Sequence, residues 1–278
     1  MFEIDRIVEL ALDEDIGIKD VTTSSIVIPG VRGKAHVIAK EDLILAGIDI
    51  FHRVFTFLDS TVELTKFFKD GDSVKNNSVI AEVSCDAVDL LRGERVALNF
   101  MQRLSGIASL TRKYVDRVRG CGTKICDTRK TTPGWRALEK YAVKMGGGTN
   151  HRSGLFDGVL IKDNHIKVCG GIRQAVEKAR ITIPHTLKIE VEVKNLSEVK
   201  EALESGADVI MLDNMDVKEM KKAVQIINKR AVVEASGGIN LDTVEEVAKT
   251  GVDLISVGAL THSARACDIS MNIVDKEG

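Results

Sequence analysis

Residues 127–167 read DTRKTTPGWRALEKYAVKMGGGTNHRSGLFDGVLIKDNHIK, and five side chains able to carry positive charge fall there at expected element ends: Arg129, Lys130, His151, Arg152 and Lys162. Guanidinium groups match carboxylates and phosphates through paired N–H bonds, and lysine supplies a mobile point charge. Five such groups converging need an anion of more than one charge. The whole chain has a formal net charge of −2, so the positive charge is local and points to a small polyanionic ligand. Any one of these residues taken alone reads as a solvated loop cation. Arg136, Lys140 and Lys144, at i, i+4 spacing, are read as a mostly solvated helix face.

The acids and small residues extend the pattern. Glu190 and Glu192 lie two apart on one apolar run and so face the same side of a strand. Glu192, nearer the strand end, is the better functional candidate, and Asp213, closing VIMLD, is better still. A carboxylate buried against Lys130 or Lys188 would be equally consistent with a structural pair. Ser236-Gly237-Gly238 and Gly258-Ala259 follow apolar runs and precede helical segments, where backbone N–H groups can bind phosphate. Each glycine by itself reads as a tight turn. Several cations, a phosphate cradle and two carboxylates suit a phosphorylated sugar reacting with a multiply anionic partner.

These groups need elements to hold them. Apolar strands are expected at 124–126, 158–161, 187–193, 209–212, 231–234 and 254–257, with amphipathic helices at 171–180, 196–205, 217–228 and 241–250. That alternation implies parallel βα units, and six of them fit a closed or nearly closed α/β barrel, with an open doubly wound sheet as the alternative. In a barrel the site forms at the C-terminal strand ends, where these residues fall. A helix is expected over 135–145, with Pro133 near its first turn and Gly146-Gly147-Gly148 ending it. Earlier in the chain, a first helix gives way at Glu14 to a loop reaching Thr23. Short strands at 33–39, 43–47, 64–68 and 78–83 suggest a partly antiparallel sheet, followed by a helical stretch over 92–119 in which Gly106 marks a break or close packing. The domain boundary is placed near residue 110.

The 278 residues, 44% hydrophobic and 29% charged, allow one large domain or two modest ones. The charge balance argues against nonspecific nucleic-acid binding. Five cysteines without CxxC spacing read as buried reduced thiols, and the histidines form no zinc pattern. No stretch has the make-up of a signal peptide or a membrane span, so a cytoplasmic location is expected.

The sequence also resembles the quinolinate phosphoribosyltransferase family, also called nicotinate-nucleotide pyrophosphorylase (carboxylating), nearly end to end. The likeness rests on Glu14-Asp15 with DVTT, on GERVALN with LSGIA, on DTRKTTPG, EKYAVKMGGGTNHRSGL and LIKDNHI, and on EVEV, MLDN, EASGGI and SVGALTHSA. Trp135 stands where an aliphatic residue would be expected. The resemblance implies an N-terminal α/β sandwich over 1–110 and an incomplete TIM-like (β/α) barrel over 111–278, whose tail returns to the N-terminal domain. It implies transfer of phosphoribosyl from phosphoribosyl pyrophosphate to quinolinate with decarboxylation, with Mg²⁺ bound mainly through the pyrophosphate substrate, in a homodimer with shared sites.

Carried onto this sequence, it gives the quinolinate carboxylates to Arg129, Arg152 and Lys162, with His151 and Thr128 nearby. Arg95 would reach the partner subunit's site. Lys130, Glu192 and Asp213 would act on the ribose and pyrophosphate. Ser236, Gly237, Gly238, Val257, Gly258 and Ala259 would cradle phosphate, with His262 close by. Three other readings remain: a Schiff-base barrel aldolase using Lys162 or Lys188, a family relative from molybdenum-transport settings, and a non-catalytic phosphosugar-binding protein.

Overall fold

The computed structural model describes residues 2–274. By internal packing the chain forms two compact units that interleave in sequence: residues 2–110, 133–147 and 264–274 make the first, and 111–132 with 148–263 make the second.

The first unit begins with helices α1 (Phe2–Ile16) and α2 (Thr23–Ile26). Strands β1 (Arg32–Ala39) and β2 (Leu43–Ile44) come next, then α3 (Ile48–Leu58), β3 (Glu63–Lys66), β4 (Ser73–Val74) and β5 (Val79–Asp86). Helix α1 thus takes in the first three residues, Glu14–Ile16, of the stretch expected to be loop. The expected strand at 43–47 stops at Ile44, because Gly47, at φ +99°, turns the chain into α3. Helix α4 (Ala87–Arg117) follows; its residues up to Leu110 belong here. The main sheet is antiparallel, β12-β1-β5-β3, its first strand being β12 (Ile269–Ile273) from the far end of the chain. Alternation places Ala35, Val37 and Ala39 of β1 in the core, while His36 pairs outward with Glu82.

Gly106 lies within α4 because of packing and not as a break. A Cβ there would fall 1.9 Å from the carbonyl oxygen of Arg265. Gly106→Ala is therefore expected to destabilise the protein by about 1–3 kcal/mol, as overpacking does. A melting temperature equal to that of the wild type would show that the segment after Ala264 moves away freely.

Helix α5 (Arg136–Met145) starts one residue later than expected, with Pro133 in the turn just ahead of it and Gly134 at φ +81°. The supposed solvated face is partly core: Lys140 is 5% exposed and Arg136 half-buried, leaving Lys144 outside. The neighbouring Glu139, fully buried, accepts a bond from Arg103, and Tyr141 donates to Asp70. Trp135 stacks on Phe100 with ring centroids 4.7 Å apart, so the residue that departs from expectation has a packing role.

In the second unit β6 (Lys124–Cys126), β7 (Val159–Ile161), α6 (Asp163–Cys169), α7 (Ile172–Thr182), β8 (Ile189–Val193), α8 (Leu196–Glu204), β9 (Val209–Asp213), α9 (Val217–Ile227), β10 (Val232–Ser236), α10 (Val244–Ala248), β11 (Leu254–Ser256) and α11 (Ala259–His262) follow in turn. All ladders are parallel, in the order β6-β11-β10-β9-β8-β7. Strands β6 and β7 form the two edges, so the barrel is unclosed; beside β6 there is only an isolated bridge from Cys126 to Thr149. Asn195 and Asp216 cap α8 and α9 through side-chain oxygens. The ladder registers align Asp213 with Ser236, Ser236 with Ser256, and Ser256 with Cys126, so the strands end level and present their following residues at one rim.

No helix among the described residues is long and apolar enough to cross a membrane. Cys85, Cys126 and Cys267 are buried thiols, whereas Cys121 and Cys169 are half-buried; none of the five is in a disulfide.

Candidate active site

The strand ends enclose a cavity of about 480 Å³. Its lining includes fifteen of the sixteen residues singled out in the sequence: Thr128, Arg129, Lys130, His151, Arg152, Lys162, Glu192, Asp213, Ser236, Gly237, Gly238, Val257, Gly258, Ala259 and His262. Arg95, exposed on α4 of the first unit, is not among them. Cations come from the segments after β6 and ahead of and after β7, carboxylates from β8 and β9, and small loops from β10 and β11.

Asp127 organises the cationic side. It is fully buried after β6 and accepts from the side chain of Asn150 and the backbone N–H of His151, at 2.9 Å for the latter. This ties segment 150–152 to the end of β6. Arg152 Nη1 donates to the carbonyl of Gly158 at 2.8 Å, while its Nε is buried with no hydrogen-bond partner. Burial, and next the charge of Arg129, push the Arg152 guanidinium below its ordinary value. Two guanidiniums that repel one another across a half-buried wall are the arrangement an incoming anion relieves.

His151 is placed by two contacts: its Nδ1 accepts the N–H of Arg152 at 2.7 Å, and its Nε2 lies 3.0 Å from Glu190 Oε2.

Lys130 is fixed through its backbone: its N–H donates to Thr128 Oγ1, and its carbonyl accepts from the buried Thr261 hydroxyl at 2.7 Å. The side chain passes over Gly258, where a Cβ would lie 3.1 Å from Lys130 Cδ. Lys162 Nζ stands 3.8 Å from Glu192 Oε2. Burial, then the nearby charge of Asp213, raise Glu192 above its ordinary value, so these two carboxylates sit close enough to favour a cation between or before them. Exposed Lys162 beside a carboxylate, and exposed Lys188 outside the cavity lining, lack the desolvated pocket that an amine nucleophile needs.

The N–H groups of Gly237, Gly238, Gly258 and Ala259 have no hydrogen-bond partner among the described residues. Gly237 and Gly238 have φ of +94° and +64°, and a Cβ on Gly237 would fall 2.3 Å from Asn214 Oδ1. Val257 differs from the expectation of a phosphate donor, since its N–H is already bonded to the carbonyl of Cys126 at 2.9 Å. The helices behind these loops are also shorter than expected: α10 starts only at Val244, and α11 spans Ala259–His262. An anion placed here would thus meet local N–H groups more than helix dipoles.

Sequence reasoning marked Asn214 only as part of the strand end MLDN and passed over Glu234. Asn214, at φ +54°, packs beneath Gly237 and donates to Asp213, and Glu234 lies buried at the centre of the barrel. Glu234 alternates with apolar neighbours on VVEAS, a period-two signal like the one that revealed Glu190 and Glu192.

The N-terminal domain model of quinolinate phosphoribosyl transferase matches residues 20–105, and the C-terminal domain model matches residues 107–272. A probable nicotinate-nucleotide pyrophosphorylase (carboxylating) of Bacillus subtilis is 48% identical, over 94% of this chain and 90% of its own. The solved nicotinate-nucleotide pyrophosphorylase of Francisella tularensis superposes with a TM-score of 0.95 at 41% identity, covering 98% of this chain and 96% of its own. That of Ehrlichia chaffeensis gives 0.92 at 44% identity, with 97% and 98% covered. Two family models spanning both halves, together with relatives of this likeness over nearly their whole length, place the chain in the quinolinate phosphoribosyltransferase family.

Proposed function

We infer that this chain transfers the phosphoribosyl group of phosphoribosyl pyrophosphate to quinolinate with loss of carbon dioxide, making nicotinate mononucleotide for NAD biosynthesis. The observation that carries the reading is one cavity lined together by Arg129, Arg152 and Lys162, by the loops of Gly237, Gly238, Gly258 and Ala259, and by Glu192 and Asp213. The first set suits a dicarboxylate, the second a phosphate, and the acids a ribose that gains positive charge.

In the reaction so read, Arg129, Arg152 and Lys162 hold the two carboxylates and aim the pyridine nitrogen at the anomeric carbon. The C–O bond to pyrophosphate breaks with its electron pair going to the leaving group, and the ring nitrogen supplies the pair for the new bond. Glu192 faces the positive charge that develops on the ribose, and Lys130 the negative charge that leaves. The pyridinium then accepts the electrons released as the adjacent carboxylate departs, and the ring carbon takes up a proton. The phosphate of the ribose rests on the N–H groups of Gly237, Gly238, Gly258 and Ala259, next to Ser236 and His262. Mg²⁺ fits this donor set: Asp213 is a half-buried carboxylate that accepts from Asn214, the kind of hard oxygen donor this ion prefers. Asp213 and the pyrophosphate oxygens would hold the ion, which neutralises the leaving group when bound.

Arg95 serves the site of a second copy in a homodimer, and the enzyme works in the cytoplasm. A mixture of Arg95→Ala and Arg129→Ala chains, each inactive alone, should regain about a quarter of native activity, since random pairing leaves one intact site in each hybrid dimer. No recovery after demonstrated subunit exchange would remove the shared site. The reading as a whole is tested by supplying quinolinate, phosphoribosyl pyrophosphate and Mg²⁺ and measuring nicotinate mononucleotide. Binding of both substrates with no product formed would leave a phosphosugar-binding protein instead.

A further inference from the structure

Inside the barrel lies a polar group that the chemistry above does not use. Glu190 of β8 and Glu234 of β10 are 7% and 1% exposed. His151 Nε2 is 3.0 Å from Glu190 Oε2 and 3.7 Å from Glu234 Oε1, and the ligand atoms of all three lie within 4.8 Å of one another. A second cavity of about 460 Å³ reaches them from the strand starts, sharing His151 and Arg152 with the mouth. On each carboxylate Oε1 is buried with no hydrogen-bond partner among the described residues. Two adjoining buried carboxylates cannot both stay ionised with orphaned oxygens, because each would bear the full cost of desolvation. Either a cation or a proton must lie between them.

The other nitrogen of His151 decides which. Nδ1 accepts the Arg152 N–H at 2.7 Å, so the ring's one proton is on Nε2, directed at Glu190. A protonated Nε2 has no lone pair for a metal ion, and protonating Nδ1 as well would break the bond to Arg152. That leaves the proton. Around Glu234 the facing groups are Glu190 from β8, Ser256 from β11 and His151 with Arg152 beyond it, while β9 places apolar Met211 alongside. Burial, then the charge of Glu190, push Glu234 up to about 7, in agreement with a retained proton.

We propose that Glu190 and Glu234 share one proton and so hold His151 as a neutral Nε2–H donor whose Nδ1 fixes the backbone of Arg152, making both glutamates positioning residues for the dicarboxylate subsite. This rests on the reading of that subsite as the quinolinate site. Loss of the shared proton puts a second buried negative charge behind Arg152. Quinolinate should then bind less tightly as pH rises through neutrality.

The test uses the full chain in three measurements. Nitrogen-15 spectra of the imidazole should show His151 unprotonated at Nδ1 and protonated at Nε2 from pH 6 to 8. Calorimetric titration with quinolinate should show wild-type affinity falling at least threefold between pH 6.5 and 8.5 relative to Glu234→Gln, whose uncharged amide removes the titration; Glu190→Gln should behave alike if the first variant folds poorly. Thermal stability supplies a check without ligand. A carboxyl whose folded pKa lies above its ordinary 4.5 binds its proton more tightly when folded, so its stabilisation is lost as pH rises from about 4.5 to 7 and is level beyond. That loss should shrink in Glu234→Gln. An imidazolium or an Nδ1–H tautomer at pH 7, equal pH slopes in wild type and Glu234→Gln, or stoichiometric Zn²⁺ binding abolished by Glu234→Gln would each overturn the proposal. Failure to bind quinolinate at any pH would instead sink the functional reading, and the spectra and melting curves would still decide the proton-sharing pair.

Discussion

Replacing Arg152 with alanine should weaken quinolinate binding by about 30- to 1,000-fold, or roughly 2–4 kcal/mol, and leave phosphoribosyl pyrophosphate binding within about threefold. The size follows from where the guanidinium lies. It is half-buried, its Nε has no partner among the described residues, and Arg129 presses on it with like charge. A carboxylate arriving there satisfies the orphaned donor and screens the repulsion in one step, whereas in the variant it would be desolvated without a partner. Arg152→Lys should recover only part of the loss, since an ammonium cannot reproduce a paired fork and does not reach the Gly158 carbonyl in the same way. Because Arg152 also braces the loop before β7, melting temperatures of both variants must accompany the titrations. Equal weakening of both ligands in a stably folded variant would mean that Arg152 shapes the whole mouth and recognises neither substrate in particular.

The parallel unit was legible because its strands are short apolar runs closed by charged or small residues. The registers that align Asp213, Ser236, Ser256 and Cys126 turn those run ends into one rim. Helix α3 was missed although its signal is present: buried Ile48, Phe51, Val54 and Phe55 recur at helical spacing, with Asp49, His52 and Arg53 between them. Strand β12 was missed for a different reason, since ISMNI gains its meaning only from pairing with β1, more than two hundred residues earlier. Burial of Lys140 was also beyond reach, because i, i+4 spacing groups cations on a face without saying what covers the face. At the site, residue type foretold charge for the arginines and lysines. It could not show that Nδ1 of His151 takes a backbone N–H, nor that the N–H of Val257 is consumed by Cys126. Both points concern which hydrogen bond is already made, and only the folded backbone determines that.

Lys130→Ala should lower kcat by about 10²–10³-fold, the scale expected when one preorganised group aimed at developing charge is removed, with a much smaller change in the KM for quinolinate. Its backbone is held at both ends of the peptide, by Thr128 Oγ1 and by Thr261, so the truncated variant should keep the rim intact. What disappears is a single ammonium reaching over Gly258. Gly258→Ala offers an independent way to the same point: its Cβ would press on Lys130 Cδ and on His262 at 3.1 Å, displacing the lysine without deleting it. If Lys130 acts on the departing pyrophosphate, both variants should slow single-turnover release of pyrophosphate, and the alanine at 258 should do so less. If it acted only in ground-state binding, both would raise the KM for phosphoribosyl pyrophosphate and leave kcat near native. The cavity favours the first outcome, because four N–H groups without a partner among the described residues offer a phosphate a place apart from the lysine, which leaves its charge for the group that departs.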